Sequence, residues 1–152
     1  MGTRSFIAYQ TSTGFEGVYC HWDGYLSHNG KILREHYSNF EKLKTLVAGG
    51  SISSLGTAIG EQHDFGDRPE GSTTFYHRDR GEDWKACQPK HCRTLKALIK
   101  YAERAGCEYF YLFDGQTWFY AARGAQFFGM SDGSAFSGLK LLPENLEDPG
   151  NG

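Results

Sequence analysis

The sequence has no apolar run approaching the roughly 18 residues that a bilayer span needs, and its four cysteines in 152 residues are too few for a disulfide scaffold. An excess of one charge is missing too. Sixteen Lys and Arg face 18 Asp and Glu, a net of −2, which removes the simple electrostatic argument for a nucleic-acid coat or a membrane-surface binder. The start, Met1-Gly2-Thr3-Arg4-Ser5, has neither the apolar stretch nor the small-residue cleavage site of a secretory signal. Phe6 stands where a myristoylation motif needs Ser or Thr. What is present is material for a core: 39% apolar residues and 15% aromatics, including eleven Phe and nine Tyr, in a length that fits one domain. Twenty glycines predict many tight turns, and reduced thiols in a cytoplasm are the expectation.

Residues 4–10 alternate imperfectly and carry β-formers, Thr11-Ser12-Thr13-Gly14 is a turn cluster, and Gly17 to Trp22 reads as the partner strand. In that strand Val18, Cys20 and Trp22 share one face and Tyr19, His21 and Asp23 the other, which puts Trp22 in the core. Asn29 caps a short helix reaching Tyr37, and Ser38 with Glu41 forms a capping box for a helix over 39–48 that stops at Gly49-Gly50. Residues 51–75 hold no period and read as a long surface loop, a kind that often carries function. A short strand over 73–77 leads into a charged turn. The clearest helix, 93–105, lines up Leu95, Leu98, Ile99, Ala102 and Ala105 and ends at Gly106. Cys107–Phe113 and Thr117–Ala121 flank the turn Asp114-Gly115-Gln116. The fold class is α+β: a mainly antiparallel sheet built from two β-hairpins, with helices packed on one face. Residues 1–142 form the single domain, and 143–152 is an acidic tail that frays.

Four clusters bear on chemistry. In Tyr19-Cys20-His21-Trp22-Asp23-Gly24-Tyr25, His21 and Asp23 side by side would let an acid orient an imidazole; the plainer reading is a strand end entering a turn, with Tyr25 on a binding edge. His77-Arg78-Asp79 matches the start of the protein-kinase catalytic loop, but Arg80 and Trp84 replace its Leu and Asn, and no glycine-rich nucleotide loop lies upstream. What remains is a salt-bridged turn. Its Arg78 and Arg80 can grip a carboxylate or phosphate, Asp79, Glu82 and Asp83 suit a basic partner surface, and Trp84 is a hot-spot residue type. Cys87, His91 and Cys92, joined by Cys20 or His77, would supply four zinc ligands. Four residues separate Cys87 from Cys92, however, and no second closely spaced pair follows, so no metal and no cofactor are expected. Arg93, Lys96, Lys100 and Arg104 recur at helical spacing opposite the apolar stripe, either as a solvated face or as a phosphate-binding one. Gly129 to Ser134 lacks the Lys and the spacing of a phosphate loop and reads as a turn.

The start Met1-Gly2-Thr3-Arg4-Ser5, the string Tyr19 to Tyr25, the run Ile52-Ser53-Ser54-Leu55-Gly56 and the turn Arg78-Asp79-Arg80-Gly81-Glu82 occur here in that order. From residue 1 to about 120 the chain resembles a family of small, mostly uncharacterised bacteriophage and prophage proteins. The resemblance implies an accessory protein outside the virion, made in the cytoplasm of the infected bacterial host. Phage proteins of this size often bind and block a host factor, including CRISPR effectors, an analogy of context and not of mechanism. The first reading is therefore a non-catalytic interaction protein whose partner is a host protein or complex. The alternatives are an enzyme or small-ligand binder with His21, Asp23 and Arg80 in one cleft, and a nucleic-acid-binding module using the 93–104 helix. Convergence of His21, Asp23, Arg78 and Arg80 on a concave pocket separates the first two.

Overall fold

A computed structural model describes residues 3–122 and 139–142. In chain order these form β1 (Ser5–Thr11), β2 (Gly14–Cys20), a π-helical turn (Leu26–Gly30) running into α1 (Lys31–His36), α2 (Phe40–Ala48), β3 (Ile52–Ser54) and β4 (Thr74–Phe75). Then come α3 (Tyr76–Arg80), α4 (Trp84–Cys87), β5 (Lys90–Cys92), α5 (Leu95–Arg104), β6 (Tyr109–Phe113), β7 (Trp118–Ala122) and β8 (Lys140–Leu141). The class is α+β. The strands make one mixed sheet in the order β4-β3-β2-β1-β6-β7-β8, and β5 shares with β3 the edge of β2 that β1 leaves open. The β1–β2 and β6–β7 pairs lie side by side, joined by parallel pairing of β1 with β6 from Ser5↔Tyr109 to Tyr9↔Phe113. Among the described residues no helix is long and apolar enough to cross a membrane.

Helices cover both faces of the sheet, which corrects the one-face expectation. The reason lies in the central strands. Residues 5–9 of β1 and 110–113 of β6 are buried without a break, so each strand needs cover on both sides. On one face Ile7, Tyr9, Val18, Cys20, Tyr111 and Phe113 meet Leu33 and Tyr37 at α1 and Leu43, Leu46 and Val47 of α2. On the other, Phe6, Ala8, Phe15, Phe110 and Leu112 lie under Leu95, Leu98, Ile99 and Ala102 of α5.

The helix starts follow from capping. Asn39, not Ser38, caps α2: its side-chain oxygen accepts from Lys42 N at 2.9 Å. Ser38 instead donates to Arg34 O at 2.7 Å and stays with the preceding helix. Thr94 caps α5 by accepting from Ala97 N at 3.2 Å. That start is later than 93 because Lys90–Cys92 is drawn off as β5 to pair with Phe15–Gly17.

Candidate functional site

Three of the strings noted in the sequence meet around β3. β2 stops at Cys20, but the backbone continues beside β3: His21 N donates to Ile52 O (3.0 Å) and Trp22 N to Ser53 O (3.0 Å). On the far side β4 returns, and Tyr76 N donates to Ser51 O (3.2 Å). Ile52 and Phe75 enter the α1/α2 core, so the neighbouring Ser53 turns to the opposite face, where the Tyr76 hydroxyl hydrogen-bonds it. Phe65 packs on Tyr76 with ring centroids 5.6 Å apart. Two guanidinium groups stand over the Phe65 ring, Arg68 at 4.8 Å and Arg80 at 5.1 Å from its centroid. Arg68 donates to the Ser53 and Ser54 hydroxyls (3.1 and 3.3 Å) and to Phe65 O (3.1 Å). Arg80 pairs with Glu82 at 3.0 Å.

Trp22 is 37% exposed, not in the core, because Cys20 takes the last core position of β2. Its ring meets His21 edge-on at 4.7 Å. Trp84, 36% exposed, meets His77 at 5.0 Å and sits over Gly50, where a Cβ would come within 2.9 Å of the indole. The expected His21–Asp23 pair does not form. Asp23 has φ +56°, which turns the chain out of the strand, and its carboxylate accepts from the Tyr25 hydroxyl at 3.1 Å. His21 shares a 2.7 Å hydrogen bond with the Tyr19 hydroxyl instead. Burial, then the charge of Arg4, holds His21 below its ordinary value, and burial pushes Tyr19 up to about 12. The pair is uncharged at neutral pH.

Arg78 and Asp79 are not in an exposed charged turn. They lie in α3, which Gly81 closes at φ +80°, and they face inward. Asp79 is 8% exposed; its carboxylate accepts from Phe75 N (2.8 Å), His63 N (3.0 Å) and Arg78 Nε (2.9 Å). The rest of the Arg78 guanidinium donates to Ile59 O (3.1 Å), Gly60 O (2.8 Å) and Thr73 O (2.8 Å). Burial alone would raise the Asp79 pKa, but the bonds from Arg78 and the two amides outweigh it and hold the carboxyl below its ordinary value. This clamp, with Gly56 N donating to the Thr73 hydroxyl (3.0 Å) and a bridge between Ala58 and Ser72, gives residues 51–75 a fixed shape. An open groove of about 420 Å³ lies along it, with Glu61, His63 and Glu70 in its wall.

Of the four residues whose convergence was in question, Arg78 is spent on loop carbonyls and Asp23 on Tyr25, while His21 and Arg80 border the β3 surface. Glu82 and Asp83 reach the surface; Asp79 does not. One constellation was invisible in the sequence. Thr74 Oγ1 lies 3.0 Å from His63 Nε2, and His63 Nδ1 lies 3.7 Å from Asp79 Oδ1, the connectivity of a hydroxyl–imidazole–carboxylate relay. Thr74 is 0% exposed, however, and His63 Nδ1 is nearer to Glu61 O, at 2.9 Å. The trio holds the loop to β4. Phe65, Arg68 and Tyr76 were also missed; a lone aromatic beside an arginine in a polar stretch was the available signal.

Cys87 ends α4, and His91 and Cys92 lie on β5 with His91 Nε2 3.2 Å from the Thr13 hydroxyl. Among the described residues no three His, Cys, Asp or Glu side chains are grouped as a metal's ligands would be. Cys20, Cys87 and Cys107 are buried and Cys92 is half-buried. Burial pushes the Cys20 thiol up to about 12 and raises that of Cys87. Iodoacetamide at pH 8 is therefore expected to modify Cys92 first and the other three only on unfolding; early modification of Cys20, read by mass spectrometry, would contradict this core. Arg93, Lys96, Lys100 and Arg104 are all exposed. The acidic tail and the Gly129–Ser134 turn lie outside the described residues. No family model, no curated protein and no solved structure matches the chain.

Proposed function

We propose that this chain is an interaction protein, a phage or prophage accessory factor that binds and blocks a host protein complex, and that it docks through the surface around β3. The observation that carries the reading is the exposure of two tryptophans at the ends of β3, Trp22 at 37% and Trp84 at 36%, together with the Phe65–Tyr76 ring pair and the Arg68 and Arg80 guanidinium groups over it. Trp, Tyr and Arg are the residue types that dominate binding energy at interfaces, and a surface already fixed by internal bonds loses little freedom on docking. The clamp of Arg78 on the buried Asp79 carboxylate serves that purpose. Seven of the 18 acids fall between Glu61 and Asp83, and all but Asp79 reach the surface; this suits a partner with a basic channel, such as a nucleic-acid-handling defence complex.

The test is capture of a partner from the bacterial host with the tagged protein, repeated with Trp22→Ala and Arg80→Ala. Trp22→Ala is expected to cost about 1 kcal/mol of stability, the centre of single-substitution effects, yet to weaken partner binding by about thirtyfold or more, as a hot-spot residue would. Undiminished capture by both variants would remove the β3 surface from the interface. Turnover of a small metabolite that His21→Ala abolishes would replace this reading with the enzyme alternative.

A further inference from the structure

The net charge of −2 averages two stretches of opposite sign. Six of the 16 Lys and Arg but one of the 18 acids fall between Trp84 and Cys107, directly after the acidic stretch. The basic residues gather on one surface. Lys96, Lys100 and Arg104 follow every fourth position of α5, about 6 Å apart along its axis, and all three are exposed. Arg93 stands just before the helix, and Lys90 of β5 reaches over the ring of Tyr101, its ammonium 5.2 Å from the centroid. Tyr101 itself is 41% exposed. Among the described residues none of these cations has a carboxylate within the 4.0 Å of an ion pair.

This arrangement works against the helix that carries it. Like charges four apart repel, at about 0.2–0.5 kcal/mol per pair, and α5 has two such pairs in succession. Cations at a helix N-terminus oppose the macrodipole, yet the first turn of α5 has no acid and Arg93 and Lys96 flank it. A face needed only for solubility is better served by alternating Glu and Lys at the same spacing. A row of cations outside any ion pair, beside a half-exposed aromatic ring, has the chemistry of a track for a phosphodiester backbone, with the ring open to stack on an unpaired base once the Lys90 ammonium swings from it to a phosphate.

We propose that α5 and β5 form a second binding surface, for single-stranded nucleic acid, in which Lys90, Arg93, Lys96, Lys100 and Arg104 contact phosphates and Tyr101 stacks on a base. The surface shares no residue with the one around β3. A chain that carries both is fitted to a complex of protein and nucleic acid, touching each component with the charge opposite to its own.

The test is fluorescence anisotropy of the full chain with fluorescein-labelled 20-nucleotide oligo-U RNA, oligo-dT DNA and a 20-base-pair DNA duplex. Binding to the single strands is expected at 50 mM salt, with log K falling against log salt at a slope of about −3 for four or five phosphates. RNA and DNA strands binding alike supports backbone recognition. Lys100→Glu is expected to weaken binding by about tenfold and make the slope shallower, while the melting temperature holds, because the pairs with Lys96 and Arg104 that turn attractive offset the new repulsion from Glu103. Tyr101→Leu, which keeps an apolar contact for Phe6, is expected to erase the preference for single strands and leave the slope unchanged. Absence of binding at 50 mM salt, or binding that Lys100→Glu does not weaken, would overturn the surface; equal or tighter binding to the duplex would overturn the single-strand assignment. Trp22→Ala should leave nucleic-acid binding intact, and a loss there would contradict two separate surfaces. Failure of partner capture alone bears on the β3 surface and not on this one.

Discussion

Arg78→Ala is expected to cost about 3–5 kcal/mol of folding stability, the loss typical of breaking a buried ion pair from one side. The substitution leaves the Asp79 carboxylate buried without its cation and removes the guanidinium from three loop carbonyl groups, those of Ile59, Gly60 and Thr73. Urea titration reads the loss as a lower midpoint, and hydrogen exchange should show the amides of His63 and Phe75, both bonded to Asp79, opening early. Arg78→Lys should recover little, because one ammonium cannot reach four acceptors set around a planar guanidinium. The pH dependence has a definite sign. Asp79 has a folded pKa held below its ordinary value of 3.8, so its contribution is complete above about pH 4 and is lost as pH falls through the folded value. Without Arg78 only the two amide bonds still oppose the effect of burial, and acid unfolding should begin at a higher pH. An unchanged urea midpoint would mean that the clamp is not what shapes the loop.

Gly56→Ala is expected to destabilise the same loop by a different route. A Cβ at this position would lie 2.5 Å from Gly71 O and 2.6 Å from Ser72 O. Both are backbone atoms, so no side chain can rotate away and the two limbs of the loop must separate. Overpacking of this kind costs about 1–3 kcal/mol or more. Separation would also strain the hydrogen bond from the Tyr37 hydroxyl to Gly56 O (2.9 Å). Because Gly56 and Arg78 act on the same loop, the double variant should lose less than the sum of the two single losses. Strict additivity in denaturation would show that the loop does not open as a unit.

The elements that carry their own punctuation were legible in the sequence. The strand pair over 4–22 has a turn cluster between its halves, the pair over 107–121 has Asp114-Gly115, and the two longer helices have apolar stripes with Gly after them. The two-sided helix cover was not read, although the unbroken run Phe110-Tyr111-Leu112-Phe113 is the mark of a strand buried on both faces. β5 was out of reach, since Lys90-His91-Cys92 becomes a strand only because β2 offers it an edge. The site was legible as separate strings and not as an assembly. His63 finds Thr74 eleven positions away, Arg68 finds Ser53 at fifteen and Arg78 finds Ile59 at nineteen, and no local period encodes such meetings. Adjacent charges in Arg78-Asp79-Arg80 looked alike, yet a helical turn sends the first two inward and leaves the third outside.

The parallel joint between β1 and β6 governs the order in which this molecule can be assembled. Arg4 N reaches the Glu108 carboxylate 104 residues away at 3.3 Å, beside the strands it helps to align. At about 5–20 residues per second a ribosome needs several seconds to cover that distance. Throughout that interval β1 can hold β2, but its other edge and the Phe6–Ala8 side lack their cover from β6 and α5. An open apolar strand edge is a template for any passing chain. Synthesis and assembly therefore run in opposite senses: the strand made first occupies the centre of the sheet, and its second edge is closed only when the second hairpin arrives. Such long-range closure places the fold among those that complete slowly.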